Sequence, residues 1–131
     1  MKILATYCSK QKNESEELLP AHKRYQSKRI EGLNAIASKK SIPFYILSGK
    51  FGLIKADHPI AYYDHLLIDS EVASHAKLVA CQIIDNDITE IEFLSRTIEE
   101  DPQLASYHKC IQMTAEIANI PINLIYGTFQ E

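Results

Sequence analysis

Four short apolar segments, alternating with three stretches of helical spacing, constrain this chain more than any other feature. Lys2–Tyr7, Phe44–Leu47, Ile88–Leu94 and Ile122–Tyr126 read as strands. The first two are almost unbroken apolar runs, the pattern of strands covered on both faces. Between the first two, residues 21–40 carry an irregular apolar stripe of Tyr25, Ile30, Leu33, Ile36 and Ala37. Val72, Ala76, Val79, Ala80 and Ile83 recur at helical spacing behind a cap at Asp69 or Ser70. Leu104, His108, Ile111, Ala115 and Ala118 line a third helix, which Asp101-Pro102 opens and Pro121 ends. The order β-α-β-α-β-α-β implies right-handed crossovers. It predicts an α/β fold, a three-layer sandwich around a mostly parallel sheet of about four strands. Residues 49–67, rich in Gly, Pro, Asp and Tyr, read as one long connection.

A chain of 131 residues with 46% apolar content fits a single domain, 1–131, that can bury a core without metals or disulfides. Cys8, Cys81 and Cys110 lack C-x-x-C spacing, which implies neither a disulfide framework nor a zinc site. No cofactor is called for, and the oligomeric state is left open. The apolar runs fall far short of the roughly 20 residues that span a bilayer, and no signal-peptide core follows Met1. The expectation is a cytoplasmic protein without a membrane partner.

Charge is divided along the chain. Residues 1–55 carry 11 Lys/Arg against 4 Asp/Glu, and residues 56–131 carry 3 against 13, within a net charge of −3. A basic half suggests that the first part faces an anion, either a phosphate-bearing small molecule or nucleic acid. Attraction between the two halves is the alternative.

Open parallel sheets bind ligands outside the carboxyl ends of their strands, where strand order reverses. Four groups follow the strands here. They are Cys8-Ser9-Lys10-Gln11-Lys12, then Ser48-Gly49-Lys50-Phe51-Gly52, then Arg96, and last Gly127-Thr128. Lys10, Lys12, Lys50 and Arg96 are candidate phosphate contacts. Ser9 and Ser48 are candidate ligand contacts, and Gly49 and Gly52 would let backbone approach a ligand closely. Neither a P-loop nor a dinucleotide fingerprint is present.

Cys8 is a candidate nucleophile beside Lys10 and Lys12, or else a small residue at a crowded strand end. Asp64 is a candidate acid/base or ribose contact. Asp57, His58, Asp64 and His65 share one loop and are of types that bind metals or move protons. Tyr63, with Tyr25 and Phe51, could stack on a base. His75 and His108 are assigned to helix packing.

Leu47-Ser48-Gly49-Lys50-Phe51-Gly52-Leu53, followed by Asp57 and Tyr63-Asp64, resembles the L-S-G-x-[YF]-G-x-L…D…P-Y pattern of the peroxide-stress YaaA family. Ser9-Lys10-Gln11-Lys12 is similar to that family's S-P-A-K. The chain also resembles small bacterial and archaeal domains that pair C-S-K with I-L-S-x-K-[YF]-G-L and a later Y-[DE]. The likeness covers about the first 67 residues. It implies DNA binding and a role in stress response, in proteins longer than this chain.

These readings converge on a protein that binds or acts on a nucleotide, nucleobase or nucleic-acid end. A non-catalytic DNA-binding module, using the basic stretch Lys23–Arg29 as its surface, is the alternative. A structural or interaction subunit is a third.

Overall fold

The computed structural model describes residues 1–127, so Thr128 of the Gly127-Thr128 group lies outside the described residues. The chain runs β1 (Lys2–Tyr7), β2 (Leu19–Pro20), α1 (Ala21–Arg24), α2 (Lys28–Lys40), β3 (Phe44–Ser48) and β4 (Gly52–Lys55). It continues with β5 (Pro59–Ile60), a 3-10 turn (Asp69–Glu71), α3 (Val72–Asp85), β6 (Glu90–Ser95), α4 (Leu104–Ala118) and β7 (Ile122–Tyr126). The main sheet has the order β4-β3-β1-β6-β7, and β2 pairs with β5 outside it. Neighbours are parallel from β3 through β7, whereas β4 is antiparallel to β3. This is the expected α/β sandwich, with one strand more than expected.

Burial explains the strand patterns. β3 is buried throughout, and β1 is buried from Ile3 onward. β6 alternates, with Ile91, Phe93 and Ser95 buried, and Ser95 meets His108 of α4. Glu90 and Glu92 face the other way, and both pair with Lys2, at 3.5 and 2.6 Å. Gly and Asn are the usual residues at left-handed helix ends. Here Ser41, Asp87 and Asn119 take that conformation, at φ 56°, 56° and 54°.

Two expectations are corrected. The helix expected over 21–40 is broken at Tyr25, which leaves the helical conformation and pairs with Lys12. Gln26 N donates to Gln11 O, and Asn13 N donates to Arg24 O. Ser27 then starts α2 afresh by capping Ile30 N. The connection 49–67 is not all loop, because Gly52–Lys55 returns along β3 as a hairpin. Four residues with only Leu53 and Ile54 strongly apolar give too short a pattern to read as a strand.

The chain passes from β1 outward to β3, then crosses back over β1 to β6. Strand order therefore reverses between β1 and β6, and that is where a crevice opens.

Candidate functional site

At the carboxyl ends of β1 and β6 lies a cavity of about 330 Å³. Cys8, Ser9, Lys10, Gln11 and Lys12 line it from β1, and Arg96 from β6. Asp101, Gln103, Leu104 and Tyr107 close it from α4 and the turn before it. Gln26, Asp64, His65 and Leu66 complete the wall. The volume is that of a small-molecule site, which runs from about 300 to 1,000 Å³.

Two buried arginines build this end of the molecule. Arg29 on α2 donates to Thr6 Oγ1 at 2.6 Å and Tyr7 O at 2.9 Å, and its guanidinium stacks 3.6 Å from the Tyr7 ring centroid. A second Arg29 nitrogen reaches Cys8 O at 3.4 Å. Arg29 thereby fixes the strand end that presents Cys8. Arg24 is fully buried and donates only to main-chain carbonyls: Asn13, Ser15, Glu17 and Ile60. A buried cation is tolerated when acceptors surround it, and here the loop wraps around the two terminal nitrogens, while Nε has no partner among the described residues. The expectation of a basic Lys23–Arg29 contact surface is corrected accordingly. Arg24 and Arg29 point inward, and only Lys23 and Lys28 of that stretch are exposed basic residues.

Cys8 is buried at the cavity floor, with its thiol donating to the Tyr107 hydroxyl at 3.6 Å. Tyr107 also accepts from Leu67 N at 3.3 Å. Burial raises the Tyr107 phenol well above its usual range, and the neighbouring Cys8 adds to the shift. Tyr107 therefore acts as a neutral hydroxyl rather than a base. Ser9 is buried and donates to Gln11 O at 2.7 Å, which shapes the loop. The backbone N–H groups of Ser9, Lys10 and Gln11 have no hydrogen-bond partner among the described residues. Lys10 is exposed. Lys12 is half-buried, with Nζ 4.8 Å from the Tyr63 ring centroid. Arg96 is half-buried and holds Glu100 loosely, Nε to Oε2 at 3.8 Å.

The expected partner segment, Ser48–Leu53, behaves differently. Ser48, Gly49, Lys50 and Gly52 do not line this cavity. Ser48 is fully buried; its Oγ accepts from Lys50 N at 3.1 Å and Phe51 N at 3.0 Å and donates to the Tyr63 hydroxyl at 2.9 Å. Tyr63 Oη in turn shares a hydrogen bond of 2.5 Å with the Tyr25 hydroxyl. Burial raises both phenols, Cys8 contributing next, so this hydroxyl chain is neutral. Tyr63 is thus an interior link, edge-on to Phe51 and Tyr25, rather than a stacking platform.

The glycines have structural reasons for their identity. A Cβ on Gly49 would stand 2.9 Å from the Tyr107 hydroxyl and 3.0 Å from both His65 O and Leu67 N. Gly52 has φ +79°, and a Cβ there would run into the Gln82 carboxamide. That carboxamide accepts from Leu53 N and donates to Phe51 O, which fastens the hairpin to α3. At both glycines the close approach is made by the protein's own groups, in a tight turn.

A second cavity, of about 420 Å³, opens beside the first, and Asp64 and His65 line both. Gly49, Lys50, Tyr63, Glu71, Ser74 and His75 form the rest of it. Lys50 and Gly49 therefore belong to this neighbouring space. Asp57 and His58 line neither cavity. Among the described residues, no group of three or more His, Cys, Asp or Glu is placed to hold a metal ion.

Sequence reasoning missed Gln26, Gln103, Tyr107 and Glu71. The three around the first cavity come from helix starts, where helical spacing signals packing and gives no hint of a cavity. Glu71 accepts from Ile68 N and pairs with His65 at 2.9 Å, and the His65 bond holds its carboxyl below the usual range. No local signal marks it, because Ile68 has no capping side chain and Ile68-x-x-Glu71 does not read as a capping box.

Residues 3–113 match the model of a family of unknown function, DUF6884. The chain belongs to that family. The match includes every lining residue of both cavities, since all of them fall between Tyr7 and Tyr107. No curated protein and no solved structure matches the chain. No helix among the described residues is long and apolar enough to cross a membrane.

Proposed function

We propose that the first cavity binds a phosphate-bearing small molecule or nucleic-acid end, with a nucleotide as the ligand class. The observation that carries this reading is the convergence of Lys10, Lys12 and Arg96 with unpaired N–H groups of Ser9–Gln11, at the point where strand order reverses. Three cations there face the two carboxylates of Asp64 and Asp101. Unpaired backbone N–H groups next to cations favour an anion for the same reason that helix N-termini do. Ser9 and the carboxamides of Gln26 and Gln103 supply neutral contacts. Cys8 and Asp64 are the candidates in the cavity for acting on a bound molecule, as nucleophile and as acid/base, with His65 and Asp101 beside them.

Calorimetric titration with inorganic phosphate and with a nucleoside monophosphate tests the reading. Arg96→Ala and Lys12→Ala should each weaken binding about tenfold, the loss of roughly one charge-assisted contact. Lys39→Ala, on the far end of α2, should leave it unchanged. Equal affinities in all three variants would remove the cavity from consideration.

The DNA-binding alternative loses its expected surface with Arg24 and Arg29 buried. A nucleic-acid end can still present its terminal phosphate to the same cavity.

A further inference from the structure

His75 sits inside the fold yet keeps one nitrogen uncommitted. Its residue is only 8% exposed, and it lines the second cavity. Its Nε2 lies 2.8 Å from Ser48 O. A carbonyl oxygen can only accept, so Nε2 carries the proton of that bond. The neutral ring then has its lone pair on Nδ1, and Nδ1 has no partner among the described residues. Ser48 is itself fixed, because its hydroxyl is consumed by the hairpin turn and by Tyr63. The ring is therefore held through Nε2, which leaves Nδ1 as an uncommitted acceptor on a residue that lines the cavity.

The charge of the second cavity differs from that of the first. Among the described lining residues, Lys50 is the only Lys or Arg there, against the carboxylates of Asp64 and Glu71. A second phosphate would meet more negative than positive charge. A neutral group rich in O–H donors fits better. Two hydroxyls can donate to His75 Nδ1 and to Asp64, and accept from the Lys50 ammonium. Asp64 lines both cavities, so it stands where the anionic and hydroxyl-bearing parts of one ligand would join.

We propose that the second cavity is a subsite for a vicinal diol, the sugar hydroxyls of the molecule whose phosphate occupies the first cavity, with His75 Nδ1 as an acceptor. The assignment rests on the phosphate reading above and extends it. His75 is a binding residue, turned into place by Ser48 O.

The experiment compares ribose 5-phosphate, 2-deoxyribose 5-phosphate and inorganic phosphate by calorimetry on the full chain. The wild-type protein should bind ribose 5-phosphate about tenfold more tightly than the deoxy sugar, one hydrogen bond's difference. His75→Gln can keep the donor to Ser48 O but loses the acceptor, and should abolish that preference without changing inorganic phosphate affinity. His75→Asn, whose Oδ1 takes the place of Nδ1, should restore part of it. Equal affinity for the two sugars in the wild type overturns the proposal, as does a preference that survives His75→Gln. Free ribose gives a separate reading through the His75 ring resonances in NMR. They should shift with ribose and stay still with inorganic phosphate, and an unmoved ring overturns the diol subsite. Failure of the phosphate reading looks different: neither phosphate nor sugar phosphate binds, and Arg96→Ala changes nothing.

Discussion

The segments Cys8–Lys12 and Ser48–Leu53 carry similar residues, each with serine and lysine after a buried parallel strand, yet the fold uses them in opposite ways. In the first, the backbone N–H groups of Ser9, Lys10 and Gln11 have no partner among the described residues, and Lys10 and Lys12 line a cavity. In the second, Ser48 Oγ, the turn N–H groups and Gly52 are all consumed by the hairpin and by Gln82. A polar residue at a strand end becomes a ligand contact only when the protein has not already satisfied it.

The largest expected effect concerns how the first segment is held. Arg24→Met should remove four carbonyl partners at once and destabilise the fold by about 3 kcal/mol or more. Chemical denaturation measures this, and phosphate affinity should fall with it because Lys12 pairs with Tyr25 beside Arg24. A stable variant with intact binding would show that the loop does not need its buried cation.

An intermediate effect is expected at the hairpin. Gly52→Ala forces a Cβ into Gln82 at φ +79°, which should cost on the order of 1–3 kcal/mol. Phosphate affinity measured in the cold, where the variant is folded, should not change. A tenfold loss of affinity would erase the contrast between the two segments.

The smallest effect comes from His108, buried with Nε2 2.7 Å from Ser95 Oγ. Burial lowers its pKa below the ordinary histidine value. The unfolded chain therefore takes up the proton first, and stability should fall as pH drops through about 6.5 until the folded group also protonates. His108→Gln should flatten that part of the stability curve. An unaltered slope would assign the acid sensitivity elsewhere.

The alternation of strand and helix was legible because β1 and β3 are covered on both faces and β6 alternates cleanly. Ile122–Tyr126 was read with the bounds it has in the structure. What escaped was local. Tyr25 breaks a helix that apolar spacing continues, because its backbone pairs with Lys12 across 13 residues of chain. No window of sequence contains that partner. Leu53-Ile54 was too brief to show a period. For the site, Cys8, Ser9, Lys10, Lys12, Asp64 and Arg96 came together as the topology implied, since strand ends place them. Ser48, Gly52 and Tyr63 did not reach that cavity, because hydrogen-bond satisfaction depends on partners from Gln82 and Tyr25 that spacing does not reveal.

The Arg24 clamp has a consequence for how residues 13–18 can vary. A guanidinium that grips Asn13, Ser15 and Glu17 by their carbonyl oxygens is indifferent to most of the side chains it passes. Every residue offers the same carbonyl, so this stretch can change much of its sequence while keeping its course. Its length cannot change so freely, because an added or deleted residue takes the carbonyls out of step with the fork that gathers them.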